Sequence, residues 1–143
     1  MSTIDLTWSD KFSTDIVSID RQHQQLLFLS QNLLSALSND GASLAEKQAA
    51  FQDLADNVLA HFAYEERIMR NIGYPNFDQH IVEHNDIRAE IKEMMDDVMH
   101  GDSVDDWKGL VSMVQVWVLR HIAASDTPIR DFIQRTDDEG WVD

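Results

Sequence analysis

Residues 61–84 read HFAYEERIMRNIGYPNFDQHIVEH, and the architecture turns on this stretch. Gly73, Tyr74 and Pro75 interrupt it, and apolar residues recur at helical spacing on both sides. The stripe before the break runs through Phe51, Leu54, Val58, Phe62, Ile68 and Met69; the stripe after it runs through Ile87, Ile91, Met94 and Val98 and stops at Gly101. So short a break makes the two helices antiparallel neighbours. The same stretch holds His61 with Glu65 and His80 with His84. Each pair is spaced i,i+4, so each projects from one helix face toward one point.

Working outward, Leu26, Leu27, Leu33, Leu34 and Leu37 form a stripe that ends at Asn39, Asp40 and Gly41. Ser43, three residues before Glu46, has capping-box spacing and opens the next helix. Ser103 opens a fourth, whose stripe holds Trp107, Leu110, Val111, Val114, Trp117 and Val118. The pattern predicts helices over 19–38, 44–72, 77–100 and 104–126, an arm over 1–18 and a C-terminal segment over 127–143, all in one domain of residues 1–143. The expected fold class is all-α, an antiparallel up-down-up-down four-helix bundle with an N-terminal arm and a short C-terminal segment.

The chain has 143 residues, the size of one average domain. Eleven Lys and Arg against 26 Asp and Glu leave a net charge of −15, which repels nucleic acid and anionic membranes. Apolar residues make up 43% of the chain, enough for a core, so the acidity reads as a solvated surface. Cysteine is absent, which excludes disulfides, thiolate zinc sites, iron–sulfur ligation and cysteine nucleophiles. No apolar run approaches a membrane span, and the first residues lack the pattern of a secretory leader. A cytoplasmic monomer without membrane insertion is expected.

Five of the six histidines, His23, His61, His80, His84 and His121, continue inward stripes; His100 sits at a helix end as ordinary surface. Any one of them alone would read as a hydrogen-bonded core residue, but five together need a common cause. At ~1.5 Å per residue, His23 and His61 lie about 22 and 25 Å from the loop that joins their helices, so their levels match. The same arithmetic sets His61 and Glu65 roughly 10 to 16 Å, and His80 and His84 roughly 5 to 10 Å, from the second turn, and brings His84 level with His121. Asp126 follows His121 at i+5, about 140° around an ideal helix, so the backbone must adjust for the two to meet. Pro128 cannot donate to Ala124, and an interruption of regular helix over residues 124–127 is expected.

Five imidazoles and two carboxylates buried among apolar residues would be costly without compensation, and a metal centre supplies it. Seven ligands exceed the needs of one ion, and two carboxylates are suited to bridging two. On ligand chemistry alone iron, manganese, zinc and copper all remain open.

These residues resemble the hemerythrin-like proteins of bacteria. The likeness rests on Trp8, on Ile19-Asp20-Arg21-Gln22-His23, on His61-x-x-x-Glu65-Glu66 with Met69, on Tyr74-Pro75, on His80-x-x-x-His84 and on Trp117-x-x-x-His121-Ile122-x-x-x-Asp126. It spans nearly the whole chain. The resemblance implies a non-haem di-iron centre that binds O₂ at one iron. His80, His84 and His121 would hold one ion, His23 and His61 the other, with Glu65 and Asp126 bridging. It also implies an O₂ pocket of Leu26, Phe62, Trp117, Val118 and Ile122. Two departures stand out: Asp15 replaces a common Gly, and Val118 replaces a common Leu.

The expected function is reversible O₂ binding for transport or storage, without enzymatic catalysis and with an oxygen-using enzyme as the acceptor. A di-iron redox or protective enzyme, or a sensor of O₂, nitric oxide or redox state, is the alternative. His80-Ile81-Val82-Glu83-His84 also spells H-x-x-E-H, the pattern of a zinc hydrolase, but that reading leaves His23, His61, Glu65, His121 and Asp126 unexplained. A carboxylate-rich di-iron oxidase would need Glu-x-x-His, and no Glu here has His three residues later.

Overall fold

The computed structural model describes Trp8 and residues 12–100, 116, 118, 121, 122 and 128–134. Three long helices follow one another: α1 (Val17–Ser38), α2 (Leu44–Asn71) and α3 (Phe77–His100). Residues 116, 118, 121 and 122 are helical and belong to the fourth helix of the bundle, and residues 128–134 are helical as well. Among the described residues there is no strand.

Local chemistry explains the boundaries. Ser43 caps α2, its hydroxyl accepting the Glu46 N–H at 3.1 Å, and Glu46 in the first turn and Arg70 in the last complement the helix dipole. At the other end Gly73 has φ +69°, the left-handed conformation that costs glycine nothing. The Tyr74 N–H then reaches the Met69 carbonyl at 2.9 Å and the Gly73 N–H reaches that of Arg70 at 3.3 Å. These two bonds are a Schellman motif, and Tyr74 and Met69 supply its apolar contact. The chain reverses there and α3 begins at Phe77, whose N–H bonds to the Tyr74 carbonyl.

The expected start of α1 at Ile19 needs correcting, since the helix begins at Val17. Its cap position, Ile16, makes no side-chain cap bond, and Asp20 in the first turn binds back to the arm instead. One Asp20 carboxylate oxygen accepts from the Thr14 N–H and the Thr14 hydroxyl, each at 2.8 Å, and the other accepts from the Ser13 hydroxyl at 2.7 Å. Asp20 thus ties the arm to the helix. Asp15, within the tied turn, has φ +63°, a left-handed backbone that favours glycine, the residue the resemblance leads one to expect there.

Two apolar clusters result. The larger joins Leu26, Leu27 and Leu33 of α1, Phe51, Leu54, Val58 and Phe62 of α2, Ile91, Met94 and Val98 of α3, and Val118 and Ile122 of the fourth helix. Trp8 and Phe12 of the arm pack against it. The smaller gathers Met69, Tyr74 and Ile129, with Ile16, Ile72, Phe77, Phe132 and Ile133 against them, around the turn between α2 and α3. The expected interruption over 124–127, the ends of the helix over 104–126, and Asp126 and Trp117 all lie outside the described residues.

Candidate metal centre

Each helix of the bundle sends at least one polar side chain into the same buried layer. His23 comes from α1, His61 and Glu65 from α2, His80 and His84 from α3 and His121 from the fourth helix, and all six are buried. The Glu65 carboxylate stands at the middle. Its Oε2 lies 3.0 Å from His61 Nε2, 3.4 Å from His23 Nε2 and 3.5 Å from His121 Nε2. Its Oε1 lies 2.7 Å from His80 Nε2 and 3.2 Å from His84 Nε2. One oxygen therefore faces His23, His61 and His121 and the other faces His80 and His84, the disposition of a carboxylate that could span two ions.

Two sets of donors could each hold an ion: His23, His61, Glu65 and His121, and Glu65, His80, His84 and His121, with the atoms of each set within 4.8 Å of one another. His121 belongs to both, whereas the resemblance assigns it to the second alone. Its Nε2 is 3.1 Å from His61 Nε2, which is itself 3.1 Å from His23 Nε2.

Whether a metal fits is decided by proton positions. His61 Nδ1–H donates to the Gln22 side-chain oxygen at 2.7 Å, and His84 Nδ1–H donates to Glu66 Oε2 at 2.7 Å. In a neutral imidazole the other nitrogen then carries a lone pair. His61 Nε2 and His84 Nε2 both point such lone pairs at Glu65 oxygens. Lone pair against lone pair is repulsive, and a cation between them removes the conflict. His84 Nε2, Glu65 Oε2 and His23 Nδ1 are buried with no hydrogen-bond partner, a rare condition for polar atoms in a folded chain. The donor set fits a metal.

Electrostatics prepare the same state. Burial pushes the His121 imidazole down to about 3 against the pull of Glu65, and burial likewise lowers His23. Burial acts to raise Glu65, but its interactions with the imidazoles of His121, His23 and His61 outweigh it and hold the carboxyl well below its usual range. Neutral imidazoles around an ionised carboxylate are the protonation states that metal ligation requires.

Of the seven expected ligands the structure brings six together, and Asp126 lies outside the described residues. Among the expected pocket residues, Leu26, Phe62, Val118 and Ile122 are buried, and Phe62 stacks on His84. Glu83, the base required by the hydrolase reading, is exposed. An open groove of about 770 Å³ reaches from the surface to Leu26 and His61, with Gln22, Tyr64, Glu66 and Arg67 on its walls. Sequence reasoning missed Gln22, Glu66 and Arg88 as parts of the site. The first two stand beside His23 and Glu65 in the chain, and only their contacts with His61 and His84 reveal them.

Residues 14–129 match the family described as the hemerythrin HHE cation binding domain. The chain belongs to that family. Among its relatives, the hemerythrin-family chain is 31% identical over 140 residues to the bacteriohemerythrin of Pseudomonas aeruginosa strain LESB58, covering 96% of this chain and 80% of the relative. It is 26% identical over 130 residues to that of Stenotrophomonas maltophilia, covering 90% and 82%. With the bacteriohemerythrin of Campylobacter jejuni serotype O:23/36 it shares 29% identity over 125 residues, covering 87% and 92%. No described helix of this hemerythrin-family chain is long and apolar enough to cross a membrane.

Proposed function

We propose that this protein binds O₂ reversibly at a pair of iron ions, for transport or storage rather than for catalysis. One observation carries the metal reading: His61 Nε2 faces Glu65 Oε2 at 3.0 Å with its other nitrogen committed to Gln22, an arrangement that calls for a cation between them. His23 and His61 would hold one ion and His80, His84 and His121 the other, with Glu65 and Asp126 bridging. Family membership favours iron among the metals that histidine and carboxylate accept. Two ferrous ions would supply the electrons that O₂ takes up on binding and returns on release, which no side chain here supplies.

The chain's own residues set the conditions for reversibility. Leu26, Phe62, Val118 and Ile122 keep water and anions from the donor layer, and Trp117 is proposed to complete that wall. Gln22 and Glu66 hold two of the imidazoles with their Nε2 atoms inward. The groove at Leu26 and His61 offers the route by which a small neutral molecule approaches. The proposal extends to a cytoplasmic monomer that yields O₂ to an oxygen-using enzyme, and a net charge of −15 opposes self-association.

Mixing the di-ferrous protein with O₂ in stopped flow, followed by evacuation, tests the reading. Recovery of the starting spectrum through repeated cycles is expected. Irreversible oxidation in the first cycle would transfer the protein to the redox-enzyme or sensor class, and one zinc with no iron after expression in iron-rich medium would overturn the metal assignment.

A further inference from the structure

His61 and His84 differ in what stands behind them. Behind His61 is Gln22, an uncharged amide, and behind His84 is Glu66, a carboxylate, at the same distance of 2.7 Å. Arg88 fastens the same Glu66 oxygen at 2.8 Å and is itself held by Asn85 at 2.9 Å. Its guanidinium lies 5.6 Å from the centre of the Phe62 ring, and that ring stacks on His84. Glu66 is therefore fixed on both sides. An imidazole whose N–H leans on a carboxylate is a more basic metal ligand than one whose N–H leans on an amide. Equal lengths with unequal charge make the two ligands electronically different.

We propose, building on the two-iron reading above, that Glu66 and Gln22 are positioning residues that make the two metal positions unequal, Glu66 favouring the more highly charged ion on the His84 side and Gln22 leaving the His61 side suited to the less charged one. When a mediator withdraws a single electron from the di-ferrous pair, the ion on the His84 side becomes ferric and the ion on the His61 side stays ferrous. Arg88 sets the size of the difference, because its charge offsets part of that on Glu66.

The test compares wild type, Glu66→Gln and Gln22→Glu, loaded anaerobically with ferrous iron, by iron content after a chelator challenge and by mediated spectroelectrochemistry. Wild type is expected to keep two irons and to show two one-electron midpoints. Glu66→Gln is expected to lose about tenfold of the ferric preference on its side, raising the lower midpoint by about 59 mV. Gln22→Glu is expected to lower the upper midpoint by a similar factor, so both variants narrow the gap. Two irons held throughout with unmoved midpoints would overturn the inference alone, as would displacement of both midpoints in one direction by both variants, the mark of a merely structural role. Fewer than two irons in wild type would overturn the underlying reading. Should Glu66→Gln fail to hold iron, Arg88→Gln, which unpairs the Glu66 charge, must lower the same midpoint; no movement overturns the inference.

Discussion

The ring of Phe62 lies flat on the imidazole of His84, with centroids 4.0 Å apart and planes 9° apart. Both side chains are fully buried, so the stack fixes the rotation of His84 that its two nitrogens need, Nδ1 toward Glu66 and Nε2 toward Glu65. Phe62→Ala should destabilise the metal-free protein by about 3–5 kcal/mol in urea unfolding. Phe62→Leu keeps most of the volume but not the flat face, and it should release iron to a chelator faster than wild type while unfolding near the wild-type midpoint. Equal release rates would show that the stack is packing only.

Asp15 concerns the backbone. Its φ of +63° is costly for an ordinary side chain, and a β-branched residue has no local hydrogen bond to soften it. Asp15→Val should cost about 1–2 kcal/mol, whereas Asp15→Gly should fall within about 0.5 kcal/mol of wild type, its relief of strain offset by a more flexible unfolded chain. Thermal unfolding of the pair decides this; equal loss in both would mean that the Asp15 side chain, and not its φ, carries the turn.

The amount of the fold and site that can be read from the chain depends on whether a signal is local. His61 with Glu65 and His80 with His84 announce themselves because i,i+4 spacing on a helix is geometry already. Gly73 and Tyr74 likewise mark the turn, and the level arithmetic for His23 and His61 agrees with the 3.1 Å between their Nε2 atoms. Gln22 and Glu66 were not legible, because their roles depend on which imidazole nitrogen turns outward in three dimensions. The start of α1 at Val17 lies ahead of the apolar stripe, and the Asp20 bonds that hold the arm there reach back six residues to Thr14, too far to leave a local pattern.

Acid should unfold the metal-free protein early. His23 and His121 have folded-state pKa values below the usual 6.5, so the unfolded chain binds more protons below that pH, and stability rises with pH through this range. Their contribution is complete above about pH 6.5 and is lost as the pH falls toward the His121 value of about 3. Glu65, lowered from 4.5, acts with the same sign below about pH 4.5. Urea midpoints of the metal-free protein should therefore be highest above about pH 7 and should decline from pH 6.5 downward. A midpoint unchanged between about pH 8 and 5 would contradict the burial of these imidazoles in the neutral form.

Val118 tests the pocket. It is buried in the larger core three residues from His121, and Val118→Leu adds one methylene. Where the core is already full the addition should cost about 1–3 kcal/mol. Where Val118 borders space beside the proposed metal centre, the extra carbon should fit at little cost and, in the iron-loaded protein, slow autoxidation and azide entry. Loss of stability with unchanged azide kinetics would place Val118 outside the pocket.

The Schellman turn at Gly73 has a consequence for how the centre comes together during folding. By reversing the chain within a few residues, it makes four of the ligands neighbours along the sequence: Glu65 and His80 are 15 residues apart, while His61 and His121 are 60 apart. Closing the shorter segment is less costly in chain entropy by about 1.2 kcal/mol, two doublings of loop length. The α2–α3 hairpin is thus the half of the site that can organise first, with donors enough to detain an ion before His23 and His121 arrive. A turn made of backbone hydrogen bonds, with no ligand in it, sets the order in which the site is assembled.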